Sequence, residues 1–228
     1  MRAHKMAQTI VQGVEHPLFA SLNPHERTQL FGHMRVEVFR ADTPIINAGD
    51  VSDRFFLIEG GRVKVVLYTD NGDEVILGFI GPEDYFGEIG LLDGAMRSAS
   101  IVAVEETVTR SLSRSEFITF LQTYPSATMQ IFRALCERLR GADRRIENLA
   151  TLDLAGKLLH VLEEIALHAG RRAGNGVLLP TSVTHEDLAA MVGASRARVT
   201  KTLTLLRQRH VIRSQGKQLL LIGKLRLR

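Results

Sequence analysis

The hydrophobic rhythm of the chain changes twice. A short segment at 17–31 carries apolar Leu18, Phe19, Leu22, Leu30 and Phe31 at helical spacing. Short apolar runs follow at 36–39, 54–59, 62–67 and 75–79, and two more fall within 100–112. Gly60-Gly61 and Asn71-Gly72 separate successive runs, and both dipeptides suit two-residue hairpin turns. Gly49-Asp50 and Gly81-Pro82 mark further turns. Many short strands with evenly spaced turns predict a small β-barrel or roll.

From about 126 to 149 the period becomes helical. Phe132, Leu135, Leu139, Ala142, Ile146 and Leu149 recur by threes and fours, with Arg133, Glu137, Arg138, Arg140, Arg144, Arg145 and Glu147 on the flanks. So narrow an apolar stripe predicts a coiled-coil seam between two copies rather than a helix buried in its own domain. Gly141 inside the run costs roughly 1 kcal/mol of helix propensity, which close packing or a ligand at that point would explain. Residues 151–153 predict a break, with Asp153 capping a further helix over 154–169. A Gly/Arg-rich loop is expected at 170–176.

The last third repeats the helical rhythm in shorter pieces. Thr184 and Asp187 form a near capping box ahead of an apolar face at 188–192, Gly193-Ala194-Ser195 supplies a turn, and Ser195 caps a helix over about 196–209. Val199, Leu203 and Leu206 face inward, and 211–221 reads as a hairpin with a Gln-Gly-Lys tip. Two short helices joined by a glycine-led turn, followed by a hairpin, predict a winged helix-turn-helix.

Charge strengthens that reading. Residues 1–150 carry 16 Lys+Arg against 20 Asp+Glu, whereas 151–228 carry 13 against 5. From Gly193 to Arg228 ten residues are basic and none is acidic, which favours a polyanion partner over an ordinary core hairpin. The second short helix opens Arg196-Ala197-Arg198-Val199-Thr200-Lys201, suited to a major groove where arginine reads guanine edges.

The other chemistry-bearing stretch is 86–100. Glu88 follows Gly87, and nine residues later Arg97 precedes Ser98 and Ala99. Arg97 supplies a charged fork for a phosphate, and Glu88 an acceptor for a sugar hydroxyl. Gly87 and the amides near Ser98 and Ala99 let the main chain close on the anion. A surface ion pair on a tight turn would explain the two charges alone. The glycine, the spacing and the small residues together favour an anion cradle.

Composition then excludes several classes. Charged residues make up 24% of the 228, an ordinary globular composition. No apolar run approaches a membrane span, and the N-terminus lacks an apolar signal core. The single Cys136 rules out an intramolecular disulfide framework and a four-cysteine iron–sulfur site. A cytoplasmic protein without a membrane partner is expected. Neither a metal-ligand cluster nor an activated nucleophile is legible, so no catalytic or metal residues are expected and the chain reads as a non-enzyme.

The order of motifs, together with Gly49-Asp50 and the pattern Phe56-x-Ile58-x-x-Gly61 beside Gly60, resembles the Crp/Fnr family of bacterial transcription regulators over nearly the whole chain. The stretch 86–100 resembles that family's phosphate-binding cassette. The resemblance implies an α+β fold: a cyclic-nucleotide-binding β-roll over 1–125, a dimerisation helix and hinge over 126–152, and a winged helix-turn-helix DNA-binding domain over 153–228. It implies a homodimer that binds an inverted-repeat operator in double-stranded DNA, works with RNA polymerase, and takes a cyclic nucleotide as effector rather than any cofactor. The main alternative is a constitutive DNA-binding regulator with a vestigial pocket.

By the same resemblance, Gly87, Glu88, Ile89, Arg97, Ser98 and Ala99 would hold sugar and phosphate, in a cassette one residue shorter than that of the best-known cAMP-binding member. Arg138 matches a second arginine near the ligand. Ala142-Asp143 stand where cAMP-responsive members carry Thr-Ser. This removes two hydroxyls and adds an anion that can accept from a guanine edge or the adenine amine. Cyclic AMP, cyclic GMP and cyclic di-GMP all remain open. An oxygen-sensing branch would need an N-terminal cysteine cluster, and a haem branch would need axial ligands, for which His4, His16, His25 and His33 lack a supporting pattern. On the DNA side Thr184, Ser195, Arg196, Ala197, Arg198, Thr200 and Lys201 are the expected contacts. Arg196 matches the family's guanine reader, Ala197 replaces a common glutamate, and Lys201 replaces an arginine. The operator is therefore expected to differ from the common half-site.

Overall fold

A computed structural model of the chain describes residues 16–181, 183–216 and 218–223. His4, Lys217 at the expected wing tip and the basic residues after 223 lie outside them. Among the described residues, two compact units form: 16–67 with 79–139, and 68–78 with 140–223.

The first unit begins with a 3₁₀ turn, Pro17–Phe19, and helix α1, Pro24–His33. The single helix expected over 17–31 is thus two pieces. Asn23 breaks it by forming a capping box with Glu26, and Pro24 occupies the first helical turn.

Strands β1 (Arg35–Phe39), β2 (Pro44–Ile46), β3 (Arg54–Gly60), β4 (Val63–Tyr68), β5 (Glu74–Ile80) and β6 (Tyr85–Phe86) follow. Then come the short helix α2 (Ile89–Asp93), β7 (Ser100–Ala103) and β8 (Thr107–Ser113). They form two sheets, ordered β1-β8-β3-β6 and β2-β7-β4-β5.

Strand β3 is buried on both faces. Phe56 and Ile58 join Ile46, Val63, Phe86 and Ile101 in a cluster drawn from both sheets. Phe55 and Leu57 point the other way, into Phe19, Phe31, Phe117, Phe120 and Ile131. That double burial explains why 55–58 reads as a continuous apolar run rather than an alternating one.

Gly60-Gly61 does not make a hairpin. β3 pairs with β8 while β4 pairs with β7, so the dipeptide carries the chain from one sheet to the other. Gly61 has φ +82°, and a Cβ there would lie 2.3 Å from the Glu106 carbonyl oxygen. Asn71-Gly72 does turn between adjacent strands, β4 and β5, closed by Thr69 N–H to Asp73 O and Gly72 N–H to Thr69 O.

Helix α3 (Arg114–Thr123) is capped by a Ser113–Glu116 box. The long helix α4 runs Pro125–Thr151. Among the described residues Gly141 meets only the Arg144 side chain, at 3.9 Å, so no close packing there explains it. Strand β5 and helix α4 contribute residues to both units.

In the second unit, α5 (Leu154–Ala169) starts at Asp153, whose Oδ1 accepts from Gly156 N–H at 2.8 Å. Strands β9 (Arg171–Ala173) and β10 (Gly176–Leu178) occupy the region expected to be a loop. They complete a sheet, β11-β12-β10-β9, with the wing strands β11 (Ile212–Gln215) and β12 (Gln218–Ile222). β9 and β10 pair with each other across a short turn, and β10 pairs on its other side with β12, more than forty residues away. Helices α6 (His185–Val192) and α7 (Arg196–Gln208) complete the unit around Leu158, Leu162, Leu188, Val192, Val199, Leu203, Leu206 and Ile212.

Candidate functional site

The turn after β6 is shaped by glycines. Gly87 has φ +85°, and a Cβ there would come within 2.8 Å of Arg97 Nη1 and 2.9 Å of the Arg54 carbonyl oxygen. Gly90 packs on Ser52, whose Oγ would lie 2.0 Å from an added Cβ. Helix α2 then ends on Gly94 at φ +78°. The Gly49-Asp50 turn ties to the cassette through its backbone: Arg97 N–H donates to Asp50 O and Gly49 N–H to Arg97 O, both at 2.9 Å. A motif separated in sequence is therefore part of the same loop cluster.

Arg97 is 7% exposed. Its fork does not stand free, as the expected phosphate contact would suggest. Nη1 donates to Gly87 O at 2.8 Å, and Nη2 to Arg54 O at 2.7 Å and Asp53 Oδ1 at 3.3 Å. A guanidinium this buried needs acceptors, and the loop supplies them. Burial pulls the Arg97 pKa down, while Asp53 pulls it back up. Ser98 is exposed and Ala99 half-buried, and Ile89 is exposed on α2.

Glu88 is 1% exposed. Its Oε1 pairs with Arg138 Nη1 from α4. Arg138 Nη2 donates to Tyr85 O at 2.9 Å, and the guanidinium lies 5.3 Å from the centre of the Tyr85 ring. The other oxygen of Glu88, Oε2, is buried without a hydrogen-bond partner among the described residues. Burial raises the Glu88 pKa, with Arg138 pulling the opposite way. An unfilled acceptor in a glycine-lined turn, beside two arginines, can receive a hydroxyl donor while a guanidinium holds an anion.

The structure thus brings Gly87, Glu88, Arg97 and Arg138 together. Ala142 and Asp143 are exposed on the later part of α4, which belongs to the second unit. Asp53, Tyr85 and the Arg54 carbonyl were missed by sequence reasoning. Asp53 stands forty-four positions from Arg97, and no local pattern announces such a pairing.

In the second unit, Thr184 and Asp187 form the capping box. Thr184 Oγ1 accepts from Asp187 N–H at 3.1 Å, and Asp187 Oδ2 accepts from Thr184 N–H at 2.8 Å. Gly193 turns the chain at φ +65°, and Ser195 Oγ accepts from Arg198 N–H. Val199, Thr202, Leu203 and Leu206 are buried, which leaves Arg196, Ala197, Arg198, Thr200 and Lys201 exposed on α7. Arg196 lies 3.7 Å from Glu186, both well exposed. His185 was not anticipated: its Nδ1 shares a 3.1 Å hydrogen bond with Thr200 Oγ1, bridging α6 and α7. Burial lowers the His185 pKa, and Arg207 and Arg196 lower it further. Arg207 Nε donates to Ser214 Oγ at 3.0 Å, tying α7 to the wing.

Along α4, Phe132 is 55%, Leu139 64% and Ile146 67% exposed, so among the described residues an apolar stripe is left uncovered. His16 is engaged locally: Nδ1 accepts from Leu18 N–H at 3.0 Å, and its ring packs edge-on against Phe19 and Tyr85. Among the described residues no group of three or more His, Cys, Asp or Glu could hold a metal ion, and no helix is long and apolar enough to cross a membrane.

Comparison with known proteins gives this geometry its setting. Residues 36–124 match the cyclic nucleotide-binding domain family, and 154–228 match the Crp-like helix-turn-helix domain. The CRP-like cAMP-activated global transcriptional regulator of Mycobacterium tuberculosis is 30% identical over 210 residues, covering 92% of this chain and 94% of the relative. The cyclic AMP receptor protein of Thermus thermophilus is 30% identical over 197 residues, covering 86% and 88%. The solved structure of the c-di-GMP responsive global regulator CLP of Xanthomonas campestris shares the fold with a TM-score of 0.71 at 22% identity, covering 86% of this chain and 97% of that one.

Proposed function

The chain belongs to the Crp/Fnr family of transcription regulators, and on that premise we propose that it is a homodimer whose operator affinity is set by a cyclic nucleotide held in the β-roll. It has a cyclic-nucleotide-binding domain and a DNA-binding helix-turn-helix, and it is a regulator rather than an enzyme.

The observation that carries the effector reading is Glu88 Oε2, a buried acceptor without a partner in a turn that only glycine can form. A ribose hydroxyl fits it. Arg97 takes the phosphate by exchanging part of its present hydrogen bonding for the charged ligand. The ligand class is a cyclic nucleotide, and the base is read by the later part of α4, where Asp143 offers an acceptor. The names of the relatives favour cyclic AMP as the first ligand to test; the Xanthomonas structure makes cyclic di-GMP the second. Two copies join along the α4 stripe, so two α7 helices meet the two halves of an inverted repeat. Thr184, Ser195, Arg196, Ala197, Arg198, Thr200 and Lys201 form the DNA-facing set. At the promoter the bound dimer acts on RNA polymerase.

Calorimetry of the purified protein with cAMP, cGMP and cyclic di-GMP tests the reading, followed by DNA binding with and without whichever ligand binds. Binding at micromolar concentration, and its loss in Arg97→Ala with the fold intact, is the expected result. Failure of all three to bind, with DNA affinity unresponsive, would establish the constitutive alternative. Run-off transcription on the bound promoter reads the effect on polymerase.

A further inference from the structure

One guanidinium in the second unit joins three elements. Arg145, on the later part of α4, donates Nη1 to the carbonyl oxygen of Leu77 in β5. Its Nη2 donates to Glu164 Oε2 on α5 at 3.1 Å. Gly78 lies beside this contact, with Arg145 Nη2 3.5 Å from where its Cβ would be. Glu164 Oε1 is 3.6 Å from His160 Nε2, one turn earlier on the same helix. Between Arg145 and Glu164 the chain breaks at 152–153, where α4 ends and the Asp153 cap starts α5. The ion pair therefore spans the hinge, and the hydrogen bond to Leu77 ties the hinge to the strand that continues into the roll.

We propose that Arg145 and Glu164 form a positioning clamp that sets the angle of α5 on α4, and through it the presentation of α7 to DNA. Resting on the proposed nucleotide control, the clamp is also the point through which the roll acts on the DNA-binding helices. Three features support this. Glu164 is largely buried, so its partner matters more than at an open surface. The bonds come from different elements, so moving any one of them must break or re-form a charged contact. Neither residue belongs to the cassette or the DNA-facing set, so a change there can alter coupling without removing a ligand contact.

The test uses the full chain with Arg145→Gln, Glu164→Gln and the double variant, each checked for folding by thermal melting. DNA affinity is measured by anisotropy on a duplex selected from a random pool by the unaltered protein, without nucleotide and with saturating cAMP or cyclic di-GMP. The clamp predicts that each single variant changes the nucleotide-free DNA affinity, or the ratio of affinities with and without nucleotide, by about threefold or more. It also predicts that the double variant is no worse than either single, because one interaction is lost in all three. Nucleotide binding to the roll persists. If both quantities stay unchanged in folded variants, or if the two single effects simply add, the clamp is overturned. If the unaltered protein ignores every nucleotide while the hinge variants still shift DNA affinity non-additively, nucleotide control falls and the clamp stands.

Discussion

Asp53 accepts a hydrogen bond from Arg97 Nη2 at 3.3 Å, placing a carboxylate on the guanidinium that the cassette would offer to a phosphate. The Asp53 side chain is itself largely exposed, so the pair is screened and worth at most about 1 kcal/mol. An incoming phosphate competes with a weak resident anion. Asp53→Asn should therefore raise cyclic-nucleotide affinity by roughly two- to fivefold, measured by calorimetry. An unchanged or weakened affinity would show that Asp53 orders Arg97 rather than competing for it.

Glu88 and Arg138 form a second test. Removing the arginine leaves a buried carboxylate without its cation, so Arg138→Ala should destabilise the protein by about 1–3 kcal/mol in chemical denaturation, less than for a wholly buried pair because Arg138 is partly exposed. Glu88→Gln in that background should recover part of the loss.

The pH dependence of the same site has a definite sign. Burial raises the folded-state pKa of Glu88 above its ordinary value of 4.5. The folded state thus holds the proton more tightly than the unfolded state, and the ionised carboxylate costs stability as pH rises through that window. The stability of Glu88→Gln relative to the unaltered protein should improve as pH increases from 4 toward neutrality, roughly levelling once the carboxylate is ionised in both states. Melting curves across that range check it; a difference that moves the other way would mean that Arg138 outweighs burial.

His185 gives a test of the DNA side through protons. Its pKa is lowered by burial, then by Arg207 and Arg196, so the free protein carries it largely neutral at pH 7. Phosphates brought against α6 and α7 would raise that pKa, and binding would take up a proton. DNA affinity should strengthen as pH falls from 8 to 6, with a steeper slope than in His185→Gln. Equal slopes would remove His185 from the interface.

The exposed stripe on α4 predicts an oligomer. Ile146→Glu should shift the protein from dimer to monomer in sedimentation equilibrium and lower operator affinity by at least tenfold, since one recognition helix then acts alone. A persistent dimer would place the interface elsewhere.

Much of the fold was legible because its signals are local. The caps at Asp153, Thr184 and Ser195 each use a side chain and an amide three residues apart, and Asn71-Gly72 turns within a few residues. The stripe from Phe132 to Leu149 is visible because a helix repeats every 3.6 residues. At Gly60-Gly61 the deciding partners were distant. Gly60-Gly61 has the composition of a hairpin, yet β3 and β4 find other strands. At 170–176 the expected loop includes parts of two strands that pair locally with each other, and β12 returns to pair with β10.

The sequence alone determined the order of roll, long helix and helix-turn-helix, the glycine-led turn at Glu88 and the basic helix after Ser195, since caps, turns and periodicity are written within a few residues of where they act. Only the tertiary structure decided what the charges do. Arg97 turns to Asp53, Arg138 to Glu88 and Arg145 to Glu164 across 44, 50 and 19 positions. Any of these arginines could have paired with other carboxylates; packing chose among them by bringing particular strands and helices together and burying the groups that met.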